Sequence, residues 1–101
     1  MGITDELKTR IRERTIDILD QELAGRGKPK RTQKTVAYFA PDREEKEASF
    51  TVYTDSFHIV DFGSDFKGDI FKYFERYHRL TFPDAVKRAA DIGGVTLRVD
   101  D

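Results

Sequence analysis

Asp61, Asp65 and Asp69 recur at four-residue spacing, a pattern that could suggest a Mg²⁺ site. Hard-cation sites need convergent oxygens, which spacing alone does not supply. The three residues read instead as a loop aspartate, a turn residue and a helix cap, and no metal is expected. Asp61-Phe62-Gly63 spells a kinase signature, but the chain is too short for a kinase and lacks the companion motifs. No Ser–His–Asp order and no Gly-rich phosphate loop stands out. His58, between Phe57 and Ile59, reads as a structural or surface histidine, and His78 near a helix end suits the helix dipole. The strongest chemical signal is an acid-free basic run, Arg26, Lys28, Lys30, Arg31 and Lys34. Such a patch can hold phosphate even on a chain of net charge −1.

The chain has 101 residues, of which 37% are charged, 38% hydrophobic and 12% aromatic. That length fits one domain at the small end, where core burial is marginal. The absence of cysteine removes disulfides, a Cys nucleophile and thiolate zinc ligation. No apolar run is long enough for a membrane span, no signal peptide is visible, and Glu6 spoils a myristoylation motif. The expected compartment is the cytoplasm, with no membrane partner. Charge is uneven: residues 1–35 carry nine basic and six acidic groups, 36–70 three and eight, and 71–101 six and five.

The elements that must position these residues follow from periodicity. Apolar residues at Ile3, Leu7, Ile11, Ile18, Leu19 and Leu23 predict an amphipathic helix over 4–24, with Thr4 as N-cap and Gly25 as its stop. The Gly- and Pro-containing stretch from Arg26 reads as an exposed basic loop. Three strands follow, at 36–39, 49–53 and 57–62, the last two joined through Thr54-Asp55-Ser56 as an antiparallel hairpin. Residues 63–68 read as a loop. Asp69 caps a helix carrying Ile70, Phe71, Phe74 and Tyr77. Thr81 caps another carrying Ala85, Val86, Ala89, Ala90 and Ile92, which Gly93-Gly94 ends. Val95, Leu97 and Val99 alternate with polar residues as in a short last strand.

This order of elements resembles the N-terminal zinc-binding domain of bacterial DnaG-type primases. Ala40-Pro41-Asp42-Arg43 stands where that family has Cys-Pro-x-His, and Ala48-Ser49-Phe50-Thr51-Val52 stands at its Pro-Ser-Phe-x-Val strand. Asp61-Phe62-Gly63-Ser64 stands at Cys-Phe-x-Cys, and Gly68-Asp69-Ile70-Phe71 matches the following loop and helix start. Leu80-Thr81-Phe82 with Ala85-Val86 matches the later helix. The four ligand positions hold Ala40, Arg43, Asp61 and Ser64, so the resemblance implies a zinc-ribbon relic with no cofactor. A structural zinc contributes about 10–16 kcal/mol of apparent folding free energy. Its expected replacement is burial of Tyr38, Phe39, Phe50, Phe57, Phe62, Phe66, Phe71 and Phe74, with Arg43 pairing Asp61 or Asp65 as a lesser contribution.

The expected fold is α+β: a small antiparallel sheet, zinc-ribbon-like without zinc, flanked by an N-terminal helix and two C-terminal helices. Residues 1–101 form one module, with the first helix in 1–25, the sheet in 35–62 and the later helices in 69–93. In primases that this chain resembles, template lies against the sheet, held by basic side chains; Lys30, Lys34 and Lys46 are the matching positions. The expected DNA-binding set is Lys28, Lys30, Arg31, Lys34 and Lys46, with Tyr38 and Tyr53 as stacking aromatics. The acidic stretch 42–47 opposes phosphate. Phe50 and Phe57 read as core or half-buried sheet residues. The functional expectation is a non-catalytic accessory module that binds single-stranded template DNA and assists primer synthesis, in a mobile element, plasmid or phage. Its partners would be DNA and a primase catalytic subunit, polymerase or helicase. The alternative is a protein-interaction module that docks to those proteins without touching DNA.

Overall fold

A computed structural model describes residues 4–41, 44 and 46–96. The predicted Ile3 position, the Arg43 ion pair and the strand over Leu97 and Val99 lie outside them. Helix α1 (Asp5–Arg12) starts where expected: the Thr4 hydroxyl accepts from the Leu7 amide, and Asp5 and Glu6 occupy the first turn. The single helix expected over 4–24 is two. The Arg14 amide bonds the Ile11 carbonyl in a tighter turn, and the buried Thr15 hydroxyl takes the Arg12 carbonyl. A side-chain donor competing for backbone in this way breaks the ladder. Helix α2 (Thr15–Glu22) follows, then a 3₁₀ turn at Ala24–Arg26. Both helices keep the predicted face, with Ile11, Ile18, Leu19 and Leu23 buried.

The sheet has five antiparallel strands in chain order: β1 (Lys30–Arg31), β2 (Thr35–Tyr38), β3 (Phe50–Tyr53), β4 (Ile59–Asp61) and β5 (Lys67–Gly68). The three strands foreseen are its centre. Both edges come from segments that read as loops, the basic run and 63–68. The β3–β4 turn is longer than predicted, because Phe57 sits in the left-handed region (φ 59°) and leaves the strand to begin at Ile59.

Helix α3 (Ile70–Tyr77) is capped by Asp69, whose carboxylate accepts from the Lys72 amide at 3.0 Å. Helix α4 (Phe82–Gly93) is capped by Thr81 and ends at Gly94 (φ 72°), past which the Val95 amide reaches back to the Ala90 carbonyl at 2.9 Å. The helices lie on one face of the sheet. Phe50, Phe66, Tyr73 and Tyr77 interlock there with ring centroids 5.4–6.0 Å apart, and α4 completes the layer with Ala85, Val86, Ala89 and Ala90. This is the α+β architecture expected. Of the aromatics expected in the core, Tyr38, Phe50, Phe66, Phe71 and Phe74 are buried, Phe39 and Phe57 are half-buried, and Phe62 is 65% exposed. Alternation explains Phe62: Asp61 points into the core, so its neighbour points out.

Candidate nucleic-acid interface

Register sorts the candidate side chains between the two faces. Lys30 pairs with Ala37, Ala37 with Thr51, Thr51 with Val60, and Val60 with Lys67. These residues form one row across all five strands on the face away from the helices. Thr35 and Tyr53 pair in the next row of that face. The neighbouring row, Arg31–Val36–Val52–Ile59–Gly68, points toward the helices. On the outer row Ala37 and Val60 are half-buried, Thr51 is buried, and both terminal lysines are exposed. Neither lysine makes an ion pair among the described residues.

The same alternation removes two predicted contacts. Tyr38 is 2% exposed, and its hydroxyl donates to Asp20 Oδ1 at 2.8 Å. Burial, then the bond to Asp20, pushes its pKa well above the ordinary tyrosine value. A ring held this way cannot stack on a base, so Tyr38 is a core residue. Arg31 points to the same side, and its guanidinium meets Asp20 Oδ1 at 2.7 Å. The bond to Asp20 raises its pKa further. Arg31 therefore ties β1 to α2, and a phosphate would have to displace that carboxylate. Lys28 lines the cleft between α2 and β1 with Asp20 and Arg31, apart from Lys30. Lys34 is exposed in the β1–β2 turn, where its carbonyl accepts from the Thr54 amide. Lys46 is exposed in the β2–β3 connection. Tyr53 is half-buried on the outer face. The structure thus puts Lys30 and Tyr53 on one face, two strands apart and in neighbouring rows, and turns Arg31 and Tyr38 away from it. Lys67 reaches the outer row only because β5 forms, and Phe66-Lys67-Gly68 is too short a run to announce a strand.

The three aspartates diverge. Asp69 caps α3 and meets Arg12 at 3.3 Å, and Asp65 meets Arg76 at 3.1 Å. Asp61 is 1% exposed. Its Oδ1 accepts from the Gly63 amide at 3.0 Å and the Ser49 hydroxyl at 3.4 Å. Its Oδ2 accepts from the Ser64 hydroxyl at 2.9 Å and the Tyr77 hydroxyl at 3.2 Å. No three metal-ligating side chains converge among the described residues. His78 Nε2 meets Glu22 Oε1 at 2.6 Å beside the Tyr73 hydroxyl, joining α2 to α3, which makes it a structural histidine.

The ligand positions of the resembled zinc site can be tested directly. Ala40 is a buried methyl with no lone pair to offer. Asp61 already spends both oxygens on hydrogen bonds, and the Ser64 hydroxyl is one of its donors. Arg43 is a cation. This set does not fit zinc, which takes thiolate and imidazole in closed structural sites.

Comparison with known proteins agrees with this fold. A family model, the CHC2 zinc finger of DnaG-type zinc ribbons, matches residues 3–101. A DNA primase of Lactococcus lactis subsp. lactis is 31% identical over 99 residues, covering 98% of this chain and 15% of the relative. A DNA primase of Enterococcus faecalis is 29% identical over 100 residues, covering 97% and 15%. The chain thus spans about 15% of the length of these relatives. The crystal structure of the Aquifex aeolicus primase, comprising zinc-binding and RNA polymerase domains, superposes with a TM-score of 0.64 at 21% identity, over 95% of this chain and 23% of that one. That likeness shows the fold. No helix among the described residues is long and apolar enough to cross a membrane. The chain belongs to the CHC2 zinc finger family of DnaG-type zinc ribbons.

Proposed function

We propose that this chain is a metal-free zinc-ribbon module that binds single-stranded template DNA on the open face of its sheet and assists primer synthesis. The carrying observation is the outer row, which starts at exposed Lys30, has Tyr53 in the row beside it, and bears no carboxylate. Cations beside aromatic rings hold single strands through phosphate attraction and base stacking. Lys34 and Lys46 are the further cations of this reading; Tyr38 and Arg31 drop out of it. The module is non-catalytic in this proposal, so primer synthesis falls to a separate primase catalytic domain, polymerase or helicase-associated partner in the cytoplasm.

The test is fluorescence anisotropy of labelled oligothymidine over a salt series, with wild type beside Lys30→Ala/Lys34→Ala/Lys46→Ala. Each phosphate contact contributes a slope of about −0.7 in log affinity against log salt, so three lysines predict a wild-type slope near −2 or steeper. The variant should lose most of it. Absence of salt-sensitive binding at low ionic strength overturns the proposal and leaves the alternative, a docking module for replication proteins.

A further inference from the structure

Phe62 and Lys67 have no role in the reading above, yet the fold sets them side by side on the same open face. Phe62 follows β4, its amide bonds the Ser49 carbonyl at 3.0 Å as a continuation of the ladder, and its ring is 65% exposed. The other exposed large apolar residue among those described, Phe82 at 39%, packs its ring edge-on against Phe71 at 5.7 Å. Phe62 makes no ring contact among the described residues. A single exposed aromatic is ordinary on a protein surface; this one shares a face with exposed lysines, the combination that single-strand sites use. Alternation from Val60 places it on the outer face, one row from Lys67 and on the opposite side of the lysine row from Tyr53.

We infer that Phe62 is a base-stacking residue and Lys67 a phosphate anchor of the single-strand site, so that the strand crosses the sheet perpendicular to the β-strands. This rests on the single-stranded DNA reading. Its occupant is an anionic polymer carrying flat rings, because an exposed ring beside a lysine-ended row that itself bears no carboxylate matches both features. Four inter-strand spacings of about 4.8 Å put Lys30 and Lys67 about 19 Å apart across the sheet. At about 3.4 Å per stacked nucleotide, that distance takes about six nucleotides.

The experiment compares wild type, Phe62→Ala, Phe62→Leu, Lys67→Ala and Phe82→Ala on oligothymidines of about 3 and about 10 nucleotides, over the same salt series. Unfolding midpoints are recorded for each variant. Phe62→Ala and Phe62→Leu should each weaken binding of the long strand about tenfold with the salt slope unchanged, since a ring is lost and no charge. Lys67→Ala should lower the slope by about 0.7 on the long strand and leave the short one, which cannot span both lysines, much less affected. Phe82→Ala should bind as wild type. If wild type binds with a salt dependence that the Lys30/Lys34/Lys46 variant loses, but the Phe62 and Lys67 variants bind unchanged, this inference is overturned and the DNA-binding reading stands. If wild type does not bind, both fall.

Discussion

Replacing Asp61 tests whether one carboxylate does the work that a metal does in zinc-binding ribbons. Among the described residues, four groups donate to it: from Ser49 just before β3, from the turn after β4 and from α3. In Asp61→Ala those donors lose a charged acceptor, and such bonds are worth about 1.5–3 kcal/mol each before compensation. Ser64 and Gly63 are exposed and can turn to water, so their loss is small. Ser49 and Tyr77 are half-buried and recover less. The net cost comes to about 3–4 kcal/mol, a large share of the 5–15 kcal/mol or so typical of a domain. Asp61→Asn keeps one oxygen for Gly63 and Ser49 and presents an amide to two hydroxyls that can accept, so about 1–1.5 kcal/mol is expected.

Urea unfolding followed by circular dichroism measures both. With a slope near 1–1.5 kcal/mol per molar for a chain of this size, Asp61→Ala should lower the midpoint by about 2–4 M and Asp61→Asn by about 1 M. Metal analysis of the purified protein should show no stoichiometric zinc, and chelator should leave the wild-type midpoint unchanged. Equal, sub-kilocalorie effects of the two substitutions would refute the hub role of Asp61. One equivalent of zinc with chelator-induced unfolding would refute the replacement itself.

Arg79 is exposed with φ 55°; the left-handed region costs a non-glycine residue about 1–2 kcal/mol, so Arg79→Gly should raise stability by about 0.5–1 kcal/mol in thermal unfolding, net of the added chain entropy. A Cβ at Gly68 would stand 2.9 Å from Lys72 Cβ, so Gly68→Ala should shift α3 against β5 and cost about 1–3 kcal/mol in the same assay. Tyr38 and Tyr73 have pKa values raised first of all by burial. The native state therefore holds their protons more tightly than the unfolded chain, and the stability from both is intact below about pH 10 and declines above it. A spectroscopic pH titration should show these two phenols ionising together with loss of near-ultraviolet circular dichroism, not before it. Returning the resembled ligand types in Ala40→Cys/Arg43→His/Asp61→Cys/Ser64→Cys should make folding depend on zinc, read as a midpoint that rises on zinc addition and falls with chelator.

The parts legible in the sequence are those fixed by local physics. Thr4, Asp69 and Thr81 cap helices because each places a short oxygen side chain just before an apolar repeat. The three central strands carry β-branched and aromatic residues in alternation. What was not legible depends on pairing. β1 and β5 are two residues each, too short for any period, and exist because β2 and β4 offer them open edges. The site suffered for the same reason. Arg31 and Lys30 are adjacent in one basic run, but once β1 pairs with β2 they point to opposite faces, and only register decides which meets phosphate and which meets Asp20. Tyr38 follows the same parity: Lys30 points with Ala37, so Tyr38 points with the core.

In the metal-free reading proposed above, Asp61 gives the ribbon a way to keep its geometry without zinc. Zinc would hold the β2 end, the β4 turn and their neighbours from a single point. Here the carboxylate sits at one of the ligand positions and reaches a second through Ser64, while Ser49 and Tyr77 join β3 and α3 to it. The two solutions differ in linkage. Stabilisation by a bound metal rises and falls with free metal concentration and with anything that protonates or oxidises its ligands. Stabilisation by hydrogen bonds to a carboxylate depends on neither free metal nor thiol oxidation, only on the carboxylate staying ionised. A module built this way would present the same sheet face whatever the zinc supply, and what it gives up is the larger contribution of the metal. The aromatic layer that Tyr77 shares with Phe50, Phe66 and Tyr73 adds a contribution that needs no metal, because each fully buried large side chain is worth about 1.5–3 kcal/mol.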